Sequence, residues 1–283
     1  MINSIDYQHP KDKALLGQLL DLDAIAKLFD WCRENQLDRI LLYAYRASCP
    51  EITAETVPMI HDMVLKACEL FGVPEPPLCL VAHDYEAKVK ITGVFSPILL
   101  ISDEYIRRAD RDCLYGTIAG QIGGIALGHQ RGIGLTWLFE NLFGLLPVPG
   151  VALSAAEVVL NQWKRWRWFS CDRACLLATE SETVALRTLL DWNVPDDILR
   201  RLRLGTPNDD YITQYKLFTD ATLAGKLSNI FNSLQSDMPW VPERYRELRS
   251  FYQAIFHQGK GDSHESNLSA SAGGGTTGLS AQK

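Results

Sequence analysis

The stretch that decides the fold is TIAGQIGGIALGH, residues 117–129, in which nearly every side chain is apolar or absent. Five glycines lie in or beside it, four of them spaced four residues apart: Gly116, Gly120, Gly123, Gly124 and Gly128. Each costs a helix interior roughly 1 kcal/mol relative to alanine. The surrounding sequence nevertheless predicts a helix from Arg111 to about His129, capped by Asp110. These glycines therefore require a packing explanation.

Composition indicates a globular protein that can bury a sizeable core. The chain has 283 residues, of which 47% are hydrophobic and 22% charged. A net charge of −6 argues against broad nucleic-acid binding. The seven cysteines are scattered without a CxxC pair, and the amino terminus, MINSIDYQHPKDK, lacks an apolar signal region. We therefore expect reduced thiols and a cytoplasmic location.

The pattern of apolar residues predicts a mostly helical α+β domain over residues 1–256. The first 72 residues are helical in pattern, ending at Gly72. Two short strands follow, one within VPEPPLCLVAH and one at PILLIS, residues 97–102. Residues 161–179 predict a long helix, and most of the segment up to residue 234 is helical in pattern. From His257 the Gly/Ser-rich tail, 257–283, lacks the apolar content to fold and predicts disorder.

An apolar segment at residues 133–160 is long enough to cross a bilayer. Pro147, Pro149 and Gly150 interrupt it, which favours a buried or partner-covered helical hairpin. Peripheral membrane contact through this segment is the alternative.

The order of these elements, together with FSCDRA (169–174) and the opening IDYQHPKD (5–12), resembles the HtpX-type and CAAX prenyl endopeptidase family of zinc metallopeptidases, which are of the gluzincin type. The opening is similar to that of bacterial members without transmembrane segments. The resemblance covers residues 1 to about 255 and implies a zincin-like domain.

The residues that would bind zinc are replaced. The family carries His-Glu-x-x-His on the helix after the strand, where two histidines hold Zn²⁺ and the glutamate activates water. Aligned by its flanks, this chain has Gly120, Gln121 and Gly124 at those positions. An amide cannot accept a proton at neutral pH, so the general base is lost as well.

The later family positions repeat this loss. Trp168 stands where the glutamate ligand is expected, and Met238 replaces a histidine in SDMPWVPER. Asp172 and Arg244 are retained at the family's spacing. The resemblance implies that Asp172 would orient a zinc-ligating histidine. With that histidine gone, we expect Asp172 to pair with an arginine, Arg244 being a candidate, or with a helix end.

A different catalytic site has little support in the pattern. No two of the six histidines are three or four residues apart, and a lone His129 is typical of a capping or surface position. Cys171 and Cys175 lie one turn apart, and His129 could be near them, although two buried thiols are the simpler interpretation. Residues 162–168, QWKRWRW, mix basic and aromatic side chains, which fits a protein interface better than nucleic acid.

The glycines and Trp168 together suggest a packing hypothesis. Removing a metal and two imidazoles would leave a cavity, and cavities destabilise a fold. We therefore expect the indole of Trp168 to lie over Gly120 and Gly124, with the glycine row permitting close helix approach.

These observations predict a catalytically inactive metallopeptidase homologue with no cofactor and no metal. Its role would be to bind a protein or peptide or to regulate another protein, and an extended peptide would bind along the PILLIS strand as an edge of the sheet. Two alternatives remain: a zinc-dependent metalloendopeptidase with a displaced site, and a membrane-surface scaffold.

Overall fold

The computed structural model describes residues 1–83, 88–147, 149–191 and 238–270, with backbone only for 143 and 257–270. The chain is mostly helical with a small three-stranded sheet, so the predicted α+β class is confirmed. The described helices and strands, in chain order, are α1 (Ser4–Tyr7), α2 (Pro10–Leu20), α3 (Asp23–Glu34), α4 (Leu37–Ser48), α5 (Pro58–Phe71), β1 (Leu78–Ala82), β2 (Val89–Thr92), β3 (Ile98–Ser102), α6 (Asp103–Arg108), α7 (Arg111–Ala126), α8 (His129–Leu142), α9 (Gly150–Thr179), α10 (Glu182–Asp191) and α11 (Val241–Ala270).

The sheet has the strand order β1-β3-β2, with β1 parallel and β2 antiparallel to β3. Both predicted strands are confirmed, but the expectation that PILLIS forms an edge is wrong, because β3 is the central strand. All five residues of β3 are buried, as a central strand packed on both faces requires. The four-residue strand β2 was not predicted, since VKIT is too short to show a pattern.

Helix α7 ends earlier than the sequence predicts. Its cap is Asp110, as expected, whose side chain accepts a hydrogen bond from the Asp112 backbone. The helix stops at Ala126, and Gly128 then takes a left-handed conformation with φ of 81°. This conformation suits glycine because it has no Cβ. The turn allows His129 to begin a new helix, α8.

The apolar segment 133–160 forms a helical hairpin whose tip is exposed at Leu145 and Val151. Helix α8 ends at Leu142, a short 3₁₀ turn follows at Phe143–Leu145, and α9 begins after Pro149. Instead of two separate helices, the second arm and residues 161–179 form the single 30-residue helix α9. Among the described residues, no helix is both long and apolar enough to cross a bilayer.

The carboxyl-terminal region differs from expectation where it is described. The backbone of α11 remains helical through residues 257–270, a stretch whose composition predicts disorder. The earlier turns of α11 pack into the core through Tyr245 and Leu248. The helical backbone continues from these turns, because adding residues to an existing helix costs less than starting one. The remainder of that tail and the predicted helices between residues 196 and 234 lie outside the described residues.

Candidate functional site

The three positions of the expected zinc motif lie on α7, buried against its neighbours. A Cβ atom added to Gly120 would lie 2.9 Å from the backbone carbonyl oxygen of Cys171 on α9. A Cβ atom added to Gly116 would lie 2.9 Å from the Sγ atom of Cys175. Protein interiors are too closely packed to absorb such overlaps without movement. The predicted close approach of two helices is therefore confirmed at Gly116 and Gly120, whereas Gly128 lies beyond the end of α7 and makes no such contact.

The space beside Gly124 is filled by two side chains. A Cβ atom there would lie 2.9 Å from Nδ1 of His129 and 3.3 Å from Sγ of Cys171. The turn at Gly128 places His129, the first residue of α8, so that its imidazole lies beside Gly124. An imidazole and a thiol thus occupy the room that Gly124 leaves.

The hypothesis that Trp168 covers these glycines is wrong. The indole is buried, but the guanidinium groups of Arg167 and Arg244 lie over its ring, 4.3 and 5.0 Å from the centroid. Helices α7 and α9 run antiparallel, with residues 116 and 175 opposite each other at one end and 124 and 171 at the other. Trp168 precedes Cys171 by about one turn of α9. It therefore lies beyond Gly124, toward the end of α7, and does not cover either glycine.

Asp172 and Arg244 form a buried ion pair, which confirms the predicted partner. Arg244 donates two hydrogen bonds, from Nε to Oδ2 at 2.8 Å and from Nη2 to Oδ1 at 2.6 Å. Burial raises the pKa of the Asp172 carboxyl, and the attraction of Arg244 acts in the opposite direction. The pair joins α9 to α11. Met238 lies half-buried in the bend before α11.

A second buried carboxylate, Asp12 on α2, lies at the other end of the site. It accepts hydrogen bonds from three side chains: Nε2 of His129 at 2.9 Å, Nε1 of Trp163 at 2.8 Å and Oγ of Ser170 at 2.7 Å. All four residues are buried. Asp12 therefore joins α2, α8 and α9, and we call these four residues the Asp12 cluster.

The charges in this cluster stabilise each other. Burial raises the pKa of Asp12, but the attraction and hydrogen bond of His129 and the hydrogen bonds from Ser170 and Trp163 outweigh it, so the pKa lies below its usual value. For His129, burial lowers the pKa, and the carboxylate of Asp12 overcomes this and raises the pKa to about 9. The imidazole is accordingly protonated at neutral pH.

Sequence reasoning missed the Asp12 cluster. The capping or surface interpretation of His129 is wrong, because the ring is fully buried. Asp12 and Ser170 carried no signal of their own, although both lie in segments that support the family resemblance. The opening segment is anchored on this site at two further points: Tyr7 donates a hydrogen bond to the Gly123 carbonyl at 2.9 Å, and the His9 backbone donates one to Ser170 at 2.9 Å.

The basic and aromatic tract at 162–168 contributes mainly to packing and surface ion pairs. Trp163 is fully buried against His129, and Trp166 stacks on His9 with ring centroids 4.8 Å apart. The ammonium group of Lys164 lies 3.6 Å from Glu140. These contacts account for part of the tract's composition without nucleic acid.

The residues of this site do not fit a zinc ion. Within the described part of the chain, no three His, Cys, Asp or Glu side chains converge as metal ligands. His129 already binds Asp12 through one ring nitrogen and faces Cys171 with the other. A histidine at position 120 would overlap the α9 backbone. No step of a zinc mechanism can therefore be assigned to these residues.

Comparison with known proteins gives one distant relative. The chain is 21% identical over 196 residues to the plastoglobule-localized metallopeptidase 48, chloroplastic, of Arabidopsis thaliana, which covers 67% of this chain and 56% of that protein. The chain thus spans little more than half the length of this curated relative. No protein-family model matches the chain. No solved structure matches it. The similarity indicates a metallopeptidase-like relationship.

Proposed function

We propose that this protein is a metallopeptidase-like domain that does not hydrolyse peptide bonds and acts by binding a protein or peptide. One observation carries the first part: a Cβ atom at Gly120 would lie 2.9 Å from the α9 backbone, so the first zinc-ligand position has no room for a side chain. Gln121 beside it is an amide and offers no general base. The retained Asp172–Arg244 pair and FSCDRA support the finer relationship to the HtpX-type peptidases.

Metal content and proteolysis test the loss of hydrolysis. After dialysis against metal-free buffer, we expect far less than one zinc per chain and no chelator-sensitive cleavage of casein. Zinc bound stoichiometrically with micromolar or tighter affinity, together with cleavage that a chelator abolishes, would establish the displaced-site metalloendopeptidase instead. Substituting Gly120→His, Gln121→Glu and Gly124→His together should destabilise the fold rather than restore activity.

A surface cleft beside β1 supports the binding role. It has a volume of about 360 Å³, within the range of small binding sites. Its walls combine charged and apolar side chains, among them Arg46, Glu51, His61, Leu65 and Cys79. Such a mixture suits an amphipathic peptide segment, which needs both an apolar anchor and polar partners.

Two residues of α5 provide a matched test of this cleft. Leu65 lines the cleft and Met59 does not, yet both are about equally exposed, 41% and 40%. We expect Leu65→Arg to abolish recovery of a specific partner in a crosslinking pull-down, and Met59→Arg to preserve it. Equal recovery with both variants would exclude the cleft as the binding surface.

Contact with a lipid surface is a second candidate, favoured by the tip of the α8–α9 hairpin. Residues 141–156 contain no charged side chain, and Leu145 and Val151 are 73% and 86% exposed. The relative's name places that protein at plastoglobules, and the cytoplasmic location remains a prediction for this chain. In a liposome flotation assay, Val151→Asp should abolish binding, whereas Ile5→Asp, at a site 77% exposed elsewhere, should not.

A further inference from the structure

We propose that Cys171 is a peroxide-reactive thiol, activated through His129 by the buried carboxylate of Asp12. The Sγ atom of Cys171 lies 3.9 Å from Nδ1 of His129, and Nε2 of the same ring lies 2.9 Å from Oδ2 of Asp12. A thiol, an imidazole and a carboxylate thus stand in line, the order in which cysteine nucleophiles are activated. This inference does not depend on the proposed binding role.

The imidazole is held in this orientation by its surroundings. Asp12 is fixed by hydrogen bonds from Trp163 and Ser170, so its Oδ2 presents a rigid acceptor to Nε2. The ring edge of Trp163 packs against the imidazole, with centroids 5.5 Å apart. The remaining ring nitrogen, Nδ1, faces the sulfur of Cys171. The reactive form of cysteine is the thiolate, and a positively charged ring stands 3.9 Å from this sulfur.

Two neighbouring thiols lack this arrangement and serve as internal controls. Cys175 is one turn along the same helix and equally buried, but its Sγ lies toward Gly116. Burial raises the pKa of the Cys175 thiol, and it raises that of Cys113 on α7 to about 11. Both should remain protonated and unreactive at neutral pH.

Access to this region is limited by size. A cavity of about 20 Å³ lies between α7, α9 and α10, and its walls include Gly116, Gly120, Cys171 and Asp172. That volume holds about one water molecule. Hydrogen peroxide has only one more oxygen atom than water, whereas aromatic disulfides and other bulky thiol reagents are far too large. A cavity of this size beside Cys171 excludes bulky thiol reagents.

The reaction balances with hydrogen peroxide as the only oxidant. The proton of the Cys171 thiol passes to water, because the His129 ring is already protonated, and returns to that ring after turnover; the thiolate attacks one peroxide oxygen. The S–O bond forms as the O–O bond breaks, and the departing hydroxide takes the proton from Nδ1 to give water. Sulfur is oxidised to sulfenic acid while peroxide is reduced, and a thiol reductant returns Cys171 to its starting state.

Oxidation would also disturb the helix contact. The Sγ atom of Cys171 lies where a Cβ at Gly124 would be only 3.3 Å away, so the added oxygen has little room. We expect the α7–α9 contact to loosen in the oxidised protein. Peroxide would thereby change the packing of the core that carries both helices.

Competition among the cysteines of the wild-type protein tests this proposal. The folded protein is exposed to peroxide for increasing times, catalase stops the reaction, and unfolding in dimedone traps sulfenic acids for peptide mass spectrometry. We expect Cys171 to be trapped at least about tenfold faster than Cys113 or Cys175. Equal rates at the three sites would overturn the proposal.

Substitutions distinguish the effect of His129 on the reactivity of Cys171 from the effect of burial. His129→Gln should lower the rate at Cys171 to that of the control thiols, whereas Cys175→Ser should leave it unchanged. Near-ultraviolet circular dichroism checks that each variant is folded, and the wild-type comparison stands even if His129→Gln is not. A bulky aromatic disulfide should not modify Cys171 in the folded protein. Modification as rapid as that by peroxide would contradict access through the cavity.

Discussion

Two buried carboxylates, Asp12 on α2 and Asp172 on α9, are neutralised by different kinds of partner. Asp172 is neutralised by one guanidinium group through two parallel hydrogen bonds. Asp12 shares its charge with an imidazole, an indole and a hydroxyl from two other helices. Arginine stays protonated at any ordinary pH, whereas histidine does not. One end of the α7–α9 contact should therefore lose its positive charge as the pH rises, and the other should keep it.

The largest effect should come from removing Asp12. The Asp12→Ala substitution leaves three buried donors, an imidazole N–H, an indole N–H and a hydroxyl, without their acceptor, and we expect a loss of about 4 to 5 kcal/mol in the free energy of unfolding. Chemical denaturation measures this loss. Asp30→Ala, which removes an exposed carboxylate paired with Arg33, should cost less than about 0.5 kcal/mol. A similar cost for both would mean that the cluster contributes no more than a surface pair.

Removing Arg244 from its ion pair with Asp172 should lower the free energy of unfolding somewhat less than removing Asp12. The Arg244→Met substitution strands only Asp172, which can become protonated, so we expect a loss of about 3 kcal/mol in the free energy of unfolding. Arg244→Lys retains the positive charge but cannot donate two parallel hydrogen bonds. Its free energy of unfolding should therefore lie between those of Arg244→Met and wild type. If Arg244→Met were more damaging than Asp12→Ala, the ranking of the two ends would be reversed.

The pH dependence of stability distinguishes the two ends directly. The pKa of His129 is raised in the folded state, so its contribution is fully present below its unfolded value of about 6.5 and is lost as pH rises through about 9. The difference between these values corresponds to about 3 kcal/mol at most. We expect the free energy of unfolding to fall over this range in wild type and in Arg244→Met. In His129→Gln the same range should be nearly flat, and an equal slope there would assign the effect to another group.

The smallest effect should come from Ser170→Ala. This change removes one of the three hydrogen bonds to Asp12 and the acceptor for the His9 backbone, while the charge pair remains. We expect a loss of about 1 to 2 kcal/mol in the free energy of unfolding, with the fall between pH 6.5 and 9 preserved. Thermal unfolding at two pH values measures both. Disappearance of the pH dependence in this variant would show that Ser170 is needed to hold the imidazole.

Local patterns explain which parts of the fold were predictable. The cap at Asp110, the end of α5 at Gly72 and the two strands LCLVA and PILLIS follow from residue types within a few positions. The position of β3 within the sheet does not, because strand order depends on pairing between distant segments. The end of α7 was missed because LGH continues the apolar pattern, and only the left-handed turn at Gly128 breaks it.

By itself, the sequence indicated which helices compose the site and, through its resemblance to zinc metallopeptidases, that glycines and a glutamine stand where α7 would carry a zinc motif. Only the tertiary structure decided what fills the space. The antiparallel alignment of α7 with α9 carries Trp168 past the glycines, and the turn at Gly128 brings His129 back beside Cys171. Asp12 lies 117 residues from His129 and 158 from Ser170 in the chain. No local pattern encodes contacts at such separations, because they form only when the helices pack.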